Sequence, residues 1–466
     1  MTKTLFLLLI SLQICAQTTH PDSIRNELRY LFTELQTKHP GFYRYQNPEE
    51  IDPKIDSVLA QINAPMTPLE VYRLMKPLIA EIGCLHTSVT LLEEEEAKLN
   101  ELPNCAPFLP FFEGDKTYIS KTFDAESILQ VGMEILRING RDIAAIRDDL
   151  VRNVPMDGHI QSGKLLLLQH RFPLWYRNVL EDTTAFVVEV KTPEGEVQTL
   201  EVAGVLADVF PTFDEVVNKP LSLKIDSETA ILQIASFAKS YHRGQGQKMK
   251  KEIKNYFRQI QKQNIQNLIV DLRGNTGGSD SNAADFASYF FDAPFRYWDR
   301  IEVAELMAKD IKGIARLFYS KPKQQDSIWL WRKSAWFTRE FDFYQTQKPA
   351  KHAFDGQVIV LIDGLCMSSC ADVAAILKHN KKAVFIGGET GGGYQGNTSG
   401  LIPEEPLKCG ISIFVPLLKY VNAVDNGVNF GRGTMPDREI SPTWEDTLEG
   451  RDVVLEKALE VIEEGE

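Results

Sequence analysis

The sequence predicts an α/β protein whose largest part is a mainly parallel sheet, and three observations lead there. Leu268-Ile-Val270 and Val358-Ile-Val-Leu-Ile362 are short unbroken apolar runs, the mark of strands covered on both faces. Amphipathic stretches lie between and after such runs, and strands that alternate with helices pair in parallel because each crossover needs a helix's length of chain. The chain has 466 residues, about three domains' worth at roughly 150 residues each.

The amino terminus has the layout of an export signal. Lys3 is basic, Leu5 to Cys15 is almost wholly apolar, and Ala16 precedes polar Gln17-Thr-Thr-His20. Cleavage is expected after Ala16, which makes residues 1–16 a signal peptide and the mature protein periplasmic or secreted. The apolar run is too short for a bilayer, which takes about 20 residues, and no other stretch is long enough for a transmembrane segment. Ile14 is bulky where a lipid-attachment motif wants a small residue, so Cys15 is not read as lipidated. The net charge of −13 argues against a nucleic-acid partner, which needs a basic face to neutralise phosphates. Cys84, Cys105, Cys366, Cys370 and Cys409 remain after the signal; the count is odd and the spacing irregular, so they read as packing residues.

Residues 17–103 read as a helical region. Ile24, Leu28, Leu31, Phe32 and Leu35 recur at helical spacing until His39-Pro40-Gly41. Thr67-Pro68-Leu69-Glu70 supplies an N-cap, a first-turn proline and a capping-box glutamate for a second helix. Its buried face is Val71, Leu74, Met75, Leu78, Ile79 and Ile82. Gly83 ends it, and a β-like run follows from His86 to Leu92.

Residues 104–205 read as β-rich. Thr117–Ser120 and Thr184–Val190 alternate, and Val131–Gly140 ends in an Asn-Gly turn. That last stretch resembles one segment of PDZ domains, which bind peptide ends by adding a strand to a sheet. Residues 206–466 form the α/β part, with strands at Ala230–Ile234, Leu268–Val270, Val358–Ile362 and Ala383–Ile386 and a helix over 245–263. Residues 295–353, rich in aromatic and charged side chains (Trp298, Trp329, Trp331, Trp336), read as an insertion.

Three segments carry the chemistry. In Asp363-Gly-Leu-Cys-Met-Ser-Ser-Cys-Ala-Asp372 a buried strand meets a turn of small residues and then a helix. This sets a hydroxyl at a helix N-terminus, where backbone N–H groups can stabilise an oxyanion. The same serines also suit plain helix caps. Asp271-Leu-Arg-Gly-Asn-Thr-Gly-Gly278 follows another buried strand, with adjacent glycines that allow close backbone approach. Gly387-Gly-Glu-Thr-Gly-Gly-Gly-Tyr-Gln-Gly396 contains a GxGxxG at Gly391, Gly393 and Gly396, but Asn397–Pro403 does not continue as the helix a dinucleotide site requires.

Taken in chain order, Asp271–Gly278, Asp363–Asp372 and Gly387–Gly396, the three segments resemble those of the tail-specific (C-terminal-processing) protease family. The closing stretch Gly431–Leu459 and Ile82-Gly-Cys-Leu-His-Thr87 resemble that family too. The resemblance covers residues 22–106 and 221–460, with the weaker PDZ-like stretch between. It implies a ClpP/crotonase-like core, no cofactor and no metal, and serine-type hydrolysis of polypeptides, with unfolded chains or C-termini as substrates. It puts the nucleophile on Ser368, with Ser369 as fallback. Many members use a lysine base in the glycine-rich loop, but Gly391-Gly392-Gly393-Tyr394 has none. The branch resembling tricorn protease uses histidine instead, and His86 stands at the matching motif. The oxyanion would be met by the Ser369 N–H and an N–H of the Gly277-Gly278 loop. Candidates to orient His86 are Glu389, Asp437 and Ser88. The glutamate that the tricorn-like branch carries upstream of its Pro-Asp pair is missing from Asn429–Gly433.

The alternative is a relative of the same fold that binds peptides or hydrophobic ligands without cleaving them. Other hydrolase classes lack their signals: there is no GxSxG elbow and no HExxH. Export argues against a CoA-dependent enzyme.

Overall fold

The computed structural model describes residues 18–123, 128–212, 221–310, 320–332 and 342–464. The expected signal peptide, residues 1–16, and Trp336 lie outside the described residues. The chain is a mixed α/β protein. Its central six-stranded sheet runs in the order Arg438–Glu439, Val384–Gly387, Gln357–Ile362, Asn267–Asp271, Thr229–Gln233, Ser222–Asp226. Every pair is parallel except the last, which is an antiparallel hairpin. The two apolar runs lie side by side in register, Leu268 opposite Val358 and Val270 opposite Val360. Both faces are covered. Leu268, Val270, Val358, Val360 and Ile362 join the large core under the helices Met249–Lys262 and Ser369–His379, while Ile269, Ile359 and Leu361 pack on Val454, Ala458 and Val461 of the C-terminal helix. Each such side chain contributes roughly 1.5–3 kcal/mol by leaving water. The helix expected over 245–263 begins at Met249; a separate short helix, Lys239–Gly244, precedes it, and Gly246 at φ +69° breaks the two apart.

The amino-terminal part carries four helices, Pro21–Lys38, Pro48–Ala60, Pro68–Glu81 and Glu93–Asn100. Ile24, Leu28, Leu31, Phe32 and Leu35 are all buried, as their spacing predicts. Thr67 accepts from the Glu70 N–H at 3.3 Å and the Glu70 carboxylate accepts the Thr67 N–H at 2.7 Å, completing the capping box. After the turn at Gly83 the chain enters a strand, Ser88–Leu91, which pairs antiparallel with Ile411–Phe414. That pairing fastens the N-terminal helices to the C-terminal half, and it starts two residues after His86.

Residues 104–205 hold an antiparallel sheet, ordered Phe108–Glu113, Lys116–Thr122, Glu134–Ile138, Ala185–Lys191, Val197–Ala203. Asn139 and Gly140 turn with φ of 50° and 77°. The segment also has two helices that strand alternation does not reveal, Ile143–Val151 and Ser162–Trp175. The first is capped by Asp142, whose carboxylate accepts from the Ala144 N–H at 2.9 Å, and buries Ile143, Ile146 and Leu150.

The described residues at the start of the 295–353 stretch are woven into the body rather than looped out of it. Trp298–Val303 pairs antiparallel with Leu418–Asn422 in a second, wholly antiparallel sheet, and Tyr297 and Trp298 are fully buried in the large core. Aromatic bulk here fills space over the helix Ser369–His379. Cys84, Cys105, Cys366, Cys370 and Cys409 are buried and free. No helix among the described residues is long and apolar enough to cross a membrane.

Candidate active site

Three parallel-sheet loops and one loop from the helical region converge at the C-terminal edge of the central sheet. The first leaves the strand Gln357–Ile362. Asp363 caps it, accepting from Leu365 N at 2.9 Å and from Gly274 N of the neighbouring loop at 3.1 Å, so one carboxylate stitches two loops together. Burial pushes the Asp363 carboxyl upward, and those two N–H donors oppose the shift. Met367 N then bonds Asn275 O at 3.1 Å. Ser368 follows in a left-handed conformation, φ 50° and ψ −130°, and the helix Ser369–His379 begins directly after it. A non-glycine residue held there carries local strain of order 1–3 kcal/mol. Ser368 makes no side-chain cap bond, so the hydroxyl is not used as a helix cap. It faces a cleft of ≈ 550 Å³ lined also by His86, Lys239, Thr276, Gly278, Asp280 and Ser399.

His86 reaches this point from 282 residues away, with Nε2 at 3.2 Å from Ser368 Oγ. Its backbone is braced by Thr87, whose hydroxyl meets His39 Nε2 at 2.8 Å. His39 Nδ1 accepts the Gly41 N–H at 3.1 Å, so Nε2 carries the proton and donates to Thr87. Burial drives the His39 pKa down to about 3 and keeps that brace neutral. Burial also lowers the His86 pKa below its ordinary 6.5, with the Asp157 charge and the Thr398 carbonyl pulling the other way. The imidazole is therefore neutral, and able to accept a proton, at neutral pH. Its Nδ1 is buried and makes no hydrogen bond of normal geometry.

The neighbouring loops supply backbone. Gly277 has φ +98°, and a Cβ there would meet Met367 O and Ser368 Cβ, each at 2.8 Å. Its N–H is already given to Asn275 Oδ1 at 2.9 Å, which leaves the Gly278 N–H as the loop's available donor. The Ser369 N–H opens a helix and has no acceptor inside it. The Ser369 hydroxyl is buried and unpartnered, and it is not the one on His86. In the glycine-rich loop a Cβ on Gly392 would stand 2.9 Å from Ser368 N, so that loop packs tightly behind the Ser368 turn.

The residues expected to orient His86 stand elsewhere. Glu389 is held by Arg432, through Nε at 2.8 Å and Nη2 at 2.7 Å, and by the Gly433 N–H at 2.8 Å. Asp437 pairs with Lys378 and accepts the Phe385 N–H at 2.8 Å on the sheet edge. Ser88 sits in the strand opposite Phe414. None of the three bonds the imidazole. The charged group beside His86 is Asp157, which the sequence reading missed. Asp157-Gly158 carries only a turn signal, and nothing local ties a residue in the β-rich segment to a histidine 71 positions earlier.

Residues 228–440 match the family model described as Peptidase family S41. Among solved structures, mature CPAF is similar with a TM-score of 0.67 at 13% identity, over 95% of this chain and 97% of that one. The same figures hold for mature CPAF complexed with lactacystin. A serine-to-alanine variant of CPAF gives 0.63 at 14% identity, over 92% and 94%. At such identities the likeness speaks for the fold. No curated protein matches the sequence. With the resemblance of its ordered motifs and this shared fold, residues 228–440 are identified as a segment matching peptidase family S41, a family of serine-type peptidases.

Proposed function

We propose that the protein is an exported serine endopeptidase in which Ser368 is the nucleophile and His86 the general base. The observation that carries this reading is the 3.2 Å approach of His86 Nε2 to Ser368 Oγ, made by a strained residue at a helix N-terminus. His86 takes the hydroxyl proton as Oγ attacks the peptide carbonyl, and the carbonyl oxygen becomes an oxyanion between the N–H groups of Ser369 and Gly278. One such donor contributes about 3 kcal/mol to the transition state. His86, now imidazolium, protonates the leaving amine, and the acyl-enzyme on Ser368 is released by a water that His86 deprotonates. Because the lysine of the dyad variant is missing from Gly391–Tyr394, the histidine-base branch of the family is the better analogue.

The core is read as ClpP/crotonase-like and the sheet of residues 104–205 as PDZ-like, which makes unfolded chains and free C-termini the expected substrates. Export rests on the layout of residues 1–16. The second reading, a binding protein of the same fold, draws on one observation: His86 Nδ1 lacks the carboxylate that usually holds a catalytic imidazole. Labelling with a fluorophosphonate followed by peptide mapping, with β-casein cleavage alongside, separates the two. Label on Ser368 that is lost in Ser368→Ala and greatly reduced in His86→Ala, but kept in Ser369→Ala, is expected. A folded wild-type protein that neither labels nor cleaves would favour the binding protein.

A further inference from the structure

Asp157 is 1% exposed, and its carboxylate is spread over two loops of the site. Oδ1 accepts the N–H of Leu85, the residue before His86, at 3.0 Å. Oδ2 accepts the N–H of Gly393, in the glycine-rich loop behind Ser368, at 3.1 Å. Among the described residues no cation pairs with it. The two residues after it extend the clamp. Gly158 N bonds Gly83 O at 2.9 Å and His159 N bonds Gly431 O at 2.8 Å. Gly158 has φ +58°, and a Cβ there would lie 2.5 Å from Gly431 O, so the chains meet with no room for a side chain. One short segment of the β-rich part therefore ties together the His86 turn, the glycine-rich loop and the loop before Thr434.

Among the described residues this buried carboxylate has two N–H partners, and such a group is costly unless its charge has a use. The nearby group that gains a positive charge during acyl transfer is His86. The other titratable or charged groups near His86 are His39, which is neutral, Cys84, whose buried thiol is pushed up and stays protonated, and Lys239 and Asp280, which line the same cleft. His86 lacks a hydrogen-bonded carboxylate on Nδ1, and both expected orienting carboxylates are engaged elsewhere. We infer that Asp157 is the positioning residue of this site, fixing the His86 turn through the Leu85 N–H and stabilising the imidazolium by its buried charge rather than by a direct bond. This rests on Ser368 and His86 being the catalytic pair.

The test uses Asp157→Asn and Asp157→Glu in the mature chain. Two quantities are read: the pH dependence of fluorophosphonate labelling of Ser368, and the His86 pKa by NMR titration in a Ser368→Ala background. Asparagine removes the charge, so the acid limb of labelling and the His86 pKa should both fall by about one pH unit, with labelling slowed roughly 10-fold or more at neutral pH. Glutamate keeps the charge and disturbs the clamp, so the rate should drop while the limb and the pKa stay near wild type. An unchanged His86 pKa in Asp157→Asn would overturn the inference and leave Asp157 as a structural clamp only. Should Asp157→Asn fail to fold, a shifted limb in Asp157→Glu would overturn it equally. Failure of the catalytic pair itself looks different: wild type would not label on Ser368, or His86→Ala would label at the wild-type rate.

Discussion

Trp298 donates its indole N–H to Asp372 Oδ2 at 3.3 Å, deep under the helix that begins at Ser369. Asn397 Nδ2 reaches both carboxylate oxygens at 3.3 Å, and Asp372 N bonds back to Ser368 O at 3.1 Å. Trp298, at the start of the aromatic stretch, thus braces the first turn of the helix Ser369–His379.

That carboxyl should make stability depend on pH. Burial raises its pKa from 3.8 to about 7, against opposing hydrogen bonds from Asn422, Trp298 and Asn397. The folded state therefore holds this proton more tightly than the unfolded chain, and stability from this group falls as pH rises from about 4 to 7 and stays low above that. Asp372→Asn removes the dependence. Urea unfolding at pH 4.5, 6 and 8 should show the variant gaining on wild type as pH rises, by roughly 1.4 kcal/mol for each unit of pKa shift at most. Parallel curves at all three values would contradict this.

The acid limb of activity should lie below pH 6.5. His86 must be neutral to accept the Ser368 proton, and burial lowers its pKa. The rate constant for fluorophosphonate labelling is expected to keep more than half of its plateau value at pH 6.5, and to fall only under more acid conditions. A half-maximum above pH 7 would mean that the imidazole is stabilised as a cation in the free enzyme.

Gly277→Ala should damage the site more than the fold. The residue sits at φ +98°, and the new methyl would press on Met367 O and Ser368 Cβ at 2.8 Å. A stability loss of about 1–3 kcal/mol is expected, with labelling of Ser368 slowed by roughly 10-fold or more. Gly244→Ala, where an added Cβ meets nothing within 4 Å, is the control and should change neither.

Lys76 is a buried amine whose one acceptor among the described residues is Val89 O at 3.0 Å, with the Trp175 ring 5.0 Å away. Burial lowers its pKa from 10.5 to about 8. Below that value the folded state bears the full cost of a buried charge; between about 8 and 10.5 the unfolded chain binds more protons, so stability rises with pH and the cost disappears. Lys76→Met should equal or exceed wild type in stability at pH 7, and the advantage should shrink by pH 10. A variant markedly less stable at pH 7, by thermal or urea unfolding, would show that the Val89 contact outweighs desolvation.

Much of the fold was legible because its signals are local. The apolar runs at 268–270 and 358–362, the capping box at Thr67 and Glu70, and the Asn139-Gly140 turn each need only their own few residues, and each formed as read. The helices at 143–151 and 162–175 were hidden because they interrupt a strand-rich stretch. The aromatic stretch after residue 295 looked like an insertion because its partner, Leu418–Asn422, lies more than a hundred residues away.

By itself, the sequence determined which loops could carry chemistry: small residues and glycines placed after buried strands, and a histidine in a turn before a strand. Only the tertiary structure decided which groups meet. Pairing of Ser88–Leu91 with Ile411–Phe414 brings His86 to Ser368, ion pairing with Arg432 takes Glu389 out of reach, and the closing of three loops around Asp157 puts a buried carboxylate beside the His86 turn. The reason is physical. Periodicity and turn chemistry are set by neighbours along the chain, whereas the field at an imidazole is set by whatever the fold buries next to it.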